Sequence, residues 1–269
     1  MARLASLPMY LLPETAEATE ALWRGIAQHL VAAGLADVPL ALRHDLDRHQ
    51  SWRDPDLLFG QCCGYPLMTE FRGRLRAVAA PRYSAPGCRG AAHCSFFIVA
   101  RNSAAQHLAD LRGGRFAFNS RDSNSGYNLA RLAFAPLAKA GRFFAETVET
   151  GSHAASLALV ADGKADAAAI DCVTHALLAR HRPALVGATR VLDRSAASPT
   201  LPFVTAAGVD DRTVAALRDA LAAVMADPVL AATREALLLA GVVAAENSDY
   251  RVLLDYEAAA HRQGYDRLA

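Results

Sequence analysis

No apolar run in this sequence reaches the roughly 20 residues that a bilayer-spanning helix needs, so membrane insertion is not expected. An excess of one charge is missing too. The 28 lysines and arginines face 27 aspartates and glutamates, and a net charge of +1 gives no broad attraction to nucleic acid or an anionic membrane. Any anion has to be recognised locally. Cys62, Cys63, Cys88, Cys94 and Cys172 show no C-x-x-C spacing, which argues against a zinc site and against a complete disulfide framework. They read as small buried hydrophobes, with Cys88 and Cys94 flanking a Gly/Ala/His loop where they could pair in an oxidising compartment. No G-x-S-x-G elbow occurs, and no fixed-period repeat or low-complexity tract. The segment Met1 to Tyr10 lacks the apolar stretch and small-residue cleavage site of a secretory leader. As written, the chain reads as cytoplasmic, or as periplasmic if a leader was removed.

What is present is ordinary globular material: 269 residues, 53% hydrophobic and 20% charged, enough for one large domain or two lobes. Arg3 to Leu7 predicts a short strand. From Glu14 to Ala33, Leu22, Ile26 and Leu30 recur every fourth position and predict an amphipathic helix ended by Gly34. Strands are predicted at 38–43, 56–60, 74–80, 95–100, 115–119, 146–149 and 167–171. Helices are predicted near 104–110, from Ser125, over 152–161 and from Thr174. This alternation argues for parallel sheets covered by helices on both faces. Ser198 to Thr205, punctuated by two prolines, reads as a crossing strand. The remainder reads as helical: Asp211 to Met225, then a helix capped by Asp227 with Pro228 at its first position and stopped at Gly241, then Ser248 onward.

Taken in order, Gln61-Cys62-Cys63-Gly64-Tyr65, Pro81-Arg82-Tyr83, Asn119 to Tyr127, Gly151-Ser152-His153, Gly163-Lys164-Ala165-Asp166, Ala169-Ile170-Asp171 and Leu201-Pro202 resemble the phosphate/phosphite/phosphonate substrate-binding proteins of ABC transporters. The resemblance covers nearly the whole chain. It implies a two-lobed α/β fold of the type 2 periplasmic-binding-protein kind, each lobe a mixed, mostly parallel sheet flanked by helices. It further implies two crossing strands as hinge, matched by Phe96 to Ala100 and Leu201 to Thr205. Lobe one would be residues 1–97 plus 204–269, and lobe two residues 98–203. The implied function is capture of a small phosphonate- or phosphate-like oxyanion in the cleft, with hinge closure and delivery to a transporter permease by a monomer. No lipobox cysteine precedes Cys62.

The residues themselves support an anion site. Ser123-Asn124-Ser125-Gly126-Tyr127 leaves a strand and enters a helix, where backbone N–H groups and the positive end of the helix dipole point outward. Ser123 and Ser125 add hydroxyls, and Gly126 permits close approach to the backbone. The same residues would also make a plain N-cap. Ser152-His153 repeats the arrangement at the next helix start, and the family's equivalent Ser-His pair lines the cleft. Asp171 ends an apolar strand and either accepts from a ligand amine or phosphoryl O–H, or caps the helix after it. Tyr10, Tyr65, Tyr83 and Tyr127 sit in loops or at helix starts, where they could close over a ligand. Cys62 and Gly64 lie in the first loop with binding potential. No metal and no cofactor is expected, and His44 to His49 reads as a solvated loop. Two other functions are kept: a cytoplasmic ligand sensor on the same fold, and an enzyme related to thiamin-pyrimidine chemistry with Cys62 or Cys63 as nucleophile and His153 as base.

Overall fold

The computed structural model describes residues 3–269. In chain order the strands and helices are β1 (Leu4–Ser6), α1 (Ala16–Ala32), α2 (Arg48–Arg53), β2 (Leu57–Gln61), α3 (Gly64–Met68), β3 (Leu75–Tyr83), β4 (Ala92–His93), β5 (Ser95–Ala100) and β6 (Arg115–Phe118). There follow a π-helical turn (Asn124–Asn128) running straight into α4 (Leu129–Phe134), β7 (Glu146–Glu149), α5 (His153–Ala161), β8 (Ala167–Asp171), α6 (Cys172–His181) and α7 (Pro183–Gly187). The chain ends with β9 (Thr189–Arg194), β10 (Ser198–Pro199), β11 (Phe203–Ala206), α8 (Asp211–Ala226), α9 (Ala231–Ala236), β12 (Leu239–Ala244) and α10 (Val252–Arg262).

Two compact units result. One holds the chain up to Ser84, Arg89–Ala91 and Pro199–Tyr250; the other holds Ala85–Cys88, Ala92–Ser198 and Arg251–Ala269. The division departs from the sequence reading at the end of the chain, where α10 packs with the second unit. The first unit carries a five-stranded sheet in the order β1-β2-β11-β3-β12. There β1 and β2 pair in parallel, while β11 runs antiparallel to β2 and β3, and β12 antiparallel to β3. α1 covers this sheet because its four-residue spacing puts Leu22, Trp23, Ile26 and Leu30 on one face, all buried. Full burial of side chains this size contributes about 1.5–3 kcal/mol each. Trp23 stacks on Phe59 at 5.6 Å, which in turn stacks on Phe203 at 5.1 Å, so helix, β2 and β11 share one aromatic column.

The second unit carries the sheet β7-β6-β8-β5-β9. β6 pairs in parallel with both β7 and β8, and β5 runs antiparallel between β8 and β9. Its core is phenylalanine-rich. Phe116 stacks on Phe144 at 4.6 Å, and Phe134 meets Phe97, Phe116, Phe143 and Phe144 within 4.7–5.5 Å, geometries that add to the simple burial of area.

Several sequence expectations need correction. Residues 38–43 form no strand; Pro39 interrupts the run, Leu40 is exposed, and Arg43 touches β1, its N–H donating to Ala5 O at 2.8 Å and its carbonyl accepting from Ser6 Oγ at 3.2 Å. The helix expected near 104–110 is a 3-10 turn over Leu108–Leu111. The segment expected to remain helical up to Gly241 instead turns at Leu238, whose φ is +55°, and forms β12 against β3. An apolar run directly after a helix carries no periodicity to separate strand from helix. β5 and β11 are inner strands of separate five-stranded sheets.

Candidate functional site

In the second unit, the parallel strands β6 and β7 each end in a short loop that starts a helix and β8 runs directly into α6, at the edge where open α/β sheets take ligands. Each helix start is capped by its own side chain. Ser123 Oγ accepts from Gly126 N–H at 3.0 Å, Ser152 Oγ from Ala155 N–H at 3.1 Å, and Asp171 Oδ1 from Val173 and Thr174 N–H at 2.8 and 3.1 Å. The capping reading is therefore correct for all three. It does not exhaust them, because a cap satisfies one or two of the four amides that a helix start exposes.

The loops are tied to one another. Gly151 N–H donates to Asn119 O at 2.8 Å and Thr150 N–H to Phe118 O at 2.9 Å, locking the end of β7 to the end of β6. Across this join Ser125 Oγ and His153 Nε2 share a hydrogen bond of 2.9 Å. Two helix N-termini are thus brought within one side-chain contact. Ser95 Oγ donates to Ser125 O at 2.7 Å, and Asn124 Nδ2 donates to Ser198 Oγ at 3.0 Å, so the turn is held from β5 and β10 as well. Ser123, Asn124 and Ser125 are all buried, which strengthens any hydrogen bond made there.

Gly126 has a steric reason to be glycine. A Cβ at this position would stand 1.9 Å from Asn119 Oδ1. Gly126→Ala is expected to displace Asn119 and cost about 1–3 kcal/mol of stability, the usual range for overpacking, as read by urea denaturation. An unchanged midpoint would show that the turn relaxes freely.

Asp171 is almost wholly buried, and His93 Nδ1 stands 2.7 Å from its Oδ2. Burial is the largest influence on this carboxyl and opposes ionisation. The adjacent His93, then His153 and the Thr174 amide, overcome it and hold the group below the ordinary carboxylate range. His93 is a site residue that the sequence reading missed. Its position in a Gly/Ala/Cys-rich loop gives no periodic or motif signal, and only the pairing of β5 with β8, Ser95 opposite Asp171, brings it there. His93 Nε2 is buried and has no hydrogen-bond partner among the described residues.

Tyr127 is corrected outright. It is a core residue: its ring meets Phe118 at 5.1 Å, its hydroxyl accepts from Leu268 N–H at 3.3 Å, and Arg131 lies over its face. In the first unit, Tyr10 meets Tyr83 edge-on at 5.3 Å, and Gln61 Nε2 donates to Tyr83 Oη at 3.0 Å. Tyr10 has φ +58°, a conformation that costs a non-glycine residue energy and that clusters at functional positions. Gly64 and Tyr65 open α3, where Tyr65 is buried and its carbonyl accepts from Thr69. Cys62 is fully buried, with Sγ donating to Cys63 O at 3.2 Å. A thiol so enclosed packs as a small buried side chain.

No curated protein matches the sequence. Among solved structures, a binding-protein component of an ABC phosphonate transporter from Pseudomonas aeruginosa (PA3383) superposes with a TM-score of 0.78 at 17% identity, covering 98% of this chain and 88% of that one. PhnD1 from Prochlorococcus marinus, in complex with methylphosphonate, gives 0.76 at 14% identity over 97% and 99%. XAC2383 from Xanthomonas citri, bound to ATP, gives 0.72 at 20% identity over 98% of both chains. These neighbours share the two-lobed type 2 binding-protein fold. No helix among the described residues is long and apolar enough to cross a membrane. A family model described as ABC transporter, phosphonate, periplasmic substrate-binding protein matches residues 56–250, which include β2, β5 to β8 and all three capped helix starts. Its members bind solute and are not enzymes, and neither the cleft-cysteine enzyme nor the cytoplasmic sensor finds support. The chain belongs to the periplasmic phosphonate substrate-binding protein family of ABC transporters.

Proposed function

We propose that this protein captures a small phosphonate- or phosphate-like anion at the paired starts of the π-helical turn and α5, and delivers it in the periplasm to an ABC-transporter permease. The observation that carries the reading is the Ser125 Oγ to His153 Nε2 hydrogen bond, which joins two helix N-termini at one point. A tetrahedral anion there takes the Ser125 hydroxyl, first-turn amides and the favourable ends of two helix dipoles. Methylphosphonate and ATP, the molecules held by two structural neighbours, both present such a group.

Asp171 sharpens the ligand class. Its Oδ1 serves the amides of α6 and its Oδ2 faces His93, so its charge is already answered within the protein. An anion without an ammonium group suits this site better than an aminoalkylphosphonate. A thermal-shift panel of methylphosphonate, phosphate, phosphite, sulfate, 2-aminoethylphosphonate and ATP tests both points. A true ligand at 100 times its Kd stabilises by about 2.7 kcal/mol. Methylphosphonate is expected to exceed 2-aminoethylphosphonate. A flat panel would overturn the anion reading, and a preference for the amine would overturn the role given to His93.

A further inference from the structure

We propose that Cys88 and Cys172 are a disulfide-forming pair, with Cys94 left as a thiol. Three sulfurs gather in the second unit where the loop before β4 lies against the start of α6. Cys88 Sγ and Cys172 Sγ are 3.6 Å apart, and Cys94, between β4 and β5, accepts from Cys172 N–H through its carbonyl at 3.1 Å. Gly87 makes the approach possible. With φ +95° it lets the loop lie flat, and a Cβ there would stand 3.0 Å from Cys172 Cβ, Cys94 Sγ and the Phe96 ring.

The three thiols are not equivalent. Cys88 is partly exposed, whereas Cys94 and Cys172 are buried. Cys172 beside Cys94, Cys88 beside Cys172, and burial of both push the two buried thiols far above the ordinary thiol range. An oxidant therefore meets Cys88 first. The Cys88 thiolate attacks a sulfur of the oxidant, itself a disulfide, and releases one thiol. Cys172 Sγ then loses its proton and attacks the Cys88 sulfur of this mixed disulfide, releasing the second thiol. Two protons and two electrons leave the protein, and the oxidant's S–S bond becomes two thiols. The 3.6 Å between the sulfurs has to close to a bond of about 2.05 Å. The product ties the loop leading to His93 to the residue after Asp171, so it fastens both members of the buried pair beside the candidate anion site.

The full-length protein is incubated with oxidised glutathione, denatured with N-ethylmaleimide and digested without reduction for peptide mass spectrometry. The expected product is a Cys88–Cys172 cross-link, with Cys94 alkylated and the melting temperature raised by about 5–10 °C. Cys94→Ser should keep the cross-link and Cys88→Ser should lose it. Full alkylation of Cys88 and Cys172, or a Cys88–Cys94 link, would overturn the proposal. Because the readout is a covalent bond, it is independent of whether any phosphonate binds.

Discussion

His93→Ala is expected to destabilise the protein by about 3–5 kcal/mol, because it strips the partner from a carboxylate that has no access to water. The side chains of His93 and Asp171 are 0% and 2% exposed and meet at 2.7 Å. Burial alone would drive the carboxyl toward its neutral form, and the histidine is the main group that prevents this. Asp171 must meanwhile remain an acceptor, because it caps α6 through two amides. Loss of His93 therefore damages both the contact that holds Asp171 Oδ2 and the helix start that Asp171 caps. Asp171→Asn placed on the same background removes the stranded charge while keeping a side-chain carbonyl for the cap, and should recover at least half of the loss. The pH dependence has a definite sign. A carboxyl whose pKa is lowered on folding contributes stability above its unfolded value, and that contribution is lost as pH falls through the folded value. In His93→Ala burial raises the carboxyl's folded pKa instead, so the stability gap between variant and wild type should narrow as pH falls and the group takes up its proton. Urea denaturation across pH measures all three. A loss below about 1 kcal/mol, with no recovery in the double variant, would show that the pair is not the support described.

Ser125 is where the largest effect on binding is expected. Ser125→Ala removes one hydroxyl and leaves the turn's shape intact, since the backbone carbonyl that accepts from Ser95 is retained. A hydrogen bond to a charged group contributes about 1.5–3 kcal/mol, so methylphosphonate affinity should fall about 10- to 150-fold by calorimetry. Ser125→Leu fills the space at the joined helix starts and should abolish the heat signal. Its overpacking penalty is read separately by denaturation, so a folded protein that no longer binds is distinguishable from an unfolded one. Unchanged affinity in both variants would place the anion elsewhere.

The fold was legible because its strands are short apolar runs at regular spacing. β7 and β8 begin and end where Glu146 to Glu149 and Ala167 to Asp171 predicted, and α1 followed from the spacing of Leu22, Ile26 and Leu30. β12 was hidden because its apolar run directly follows α9 and only pairing with β3 decides its form. The helix starts at Ser123, Ser152 and Asp171 were readable from capping chemistry, which is local. Their convergence was not, since it depends on β6 lying between β7 and β8. His93 was invisible for the same reason, because its importance comes from a partner 78 positions away brought near by strand register. Tyr127 misled because a tyrosine at a helix start faces ligand or core according to the helix's rotation, which the π-helical turn fixes inward.

The most direct test is a crystal structure of the protein grown with methylphosphonate. Phosphonyl oxygens are expected within hydrogen-bond distance of Ser125 Oγ and of first-turn amides in the π-helical turn, with His153 beside them and Asp171 still paired with His93. Methylphosphonate bound away from Ser125 and His153, or Asp171 turned from His93 toward the ligand, would contradict this placement.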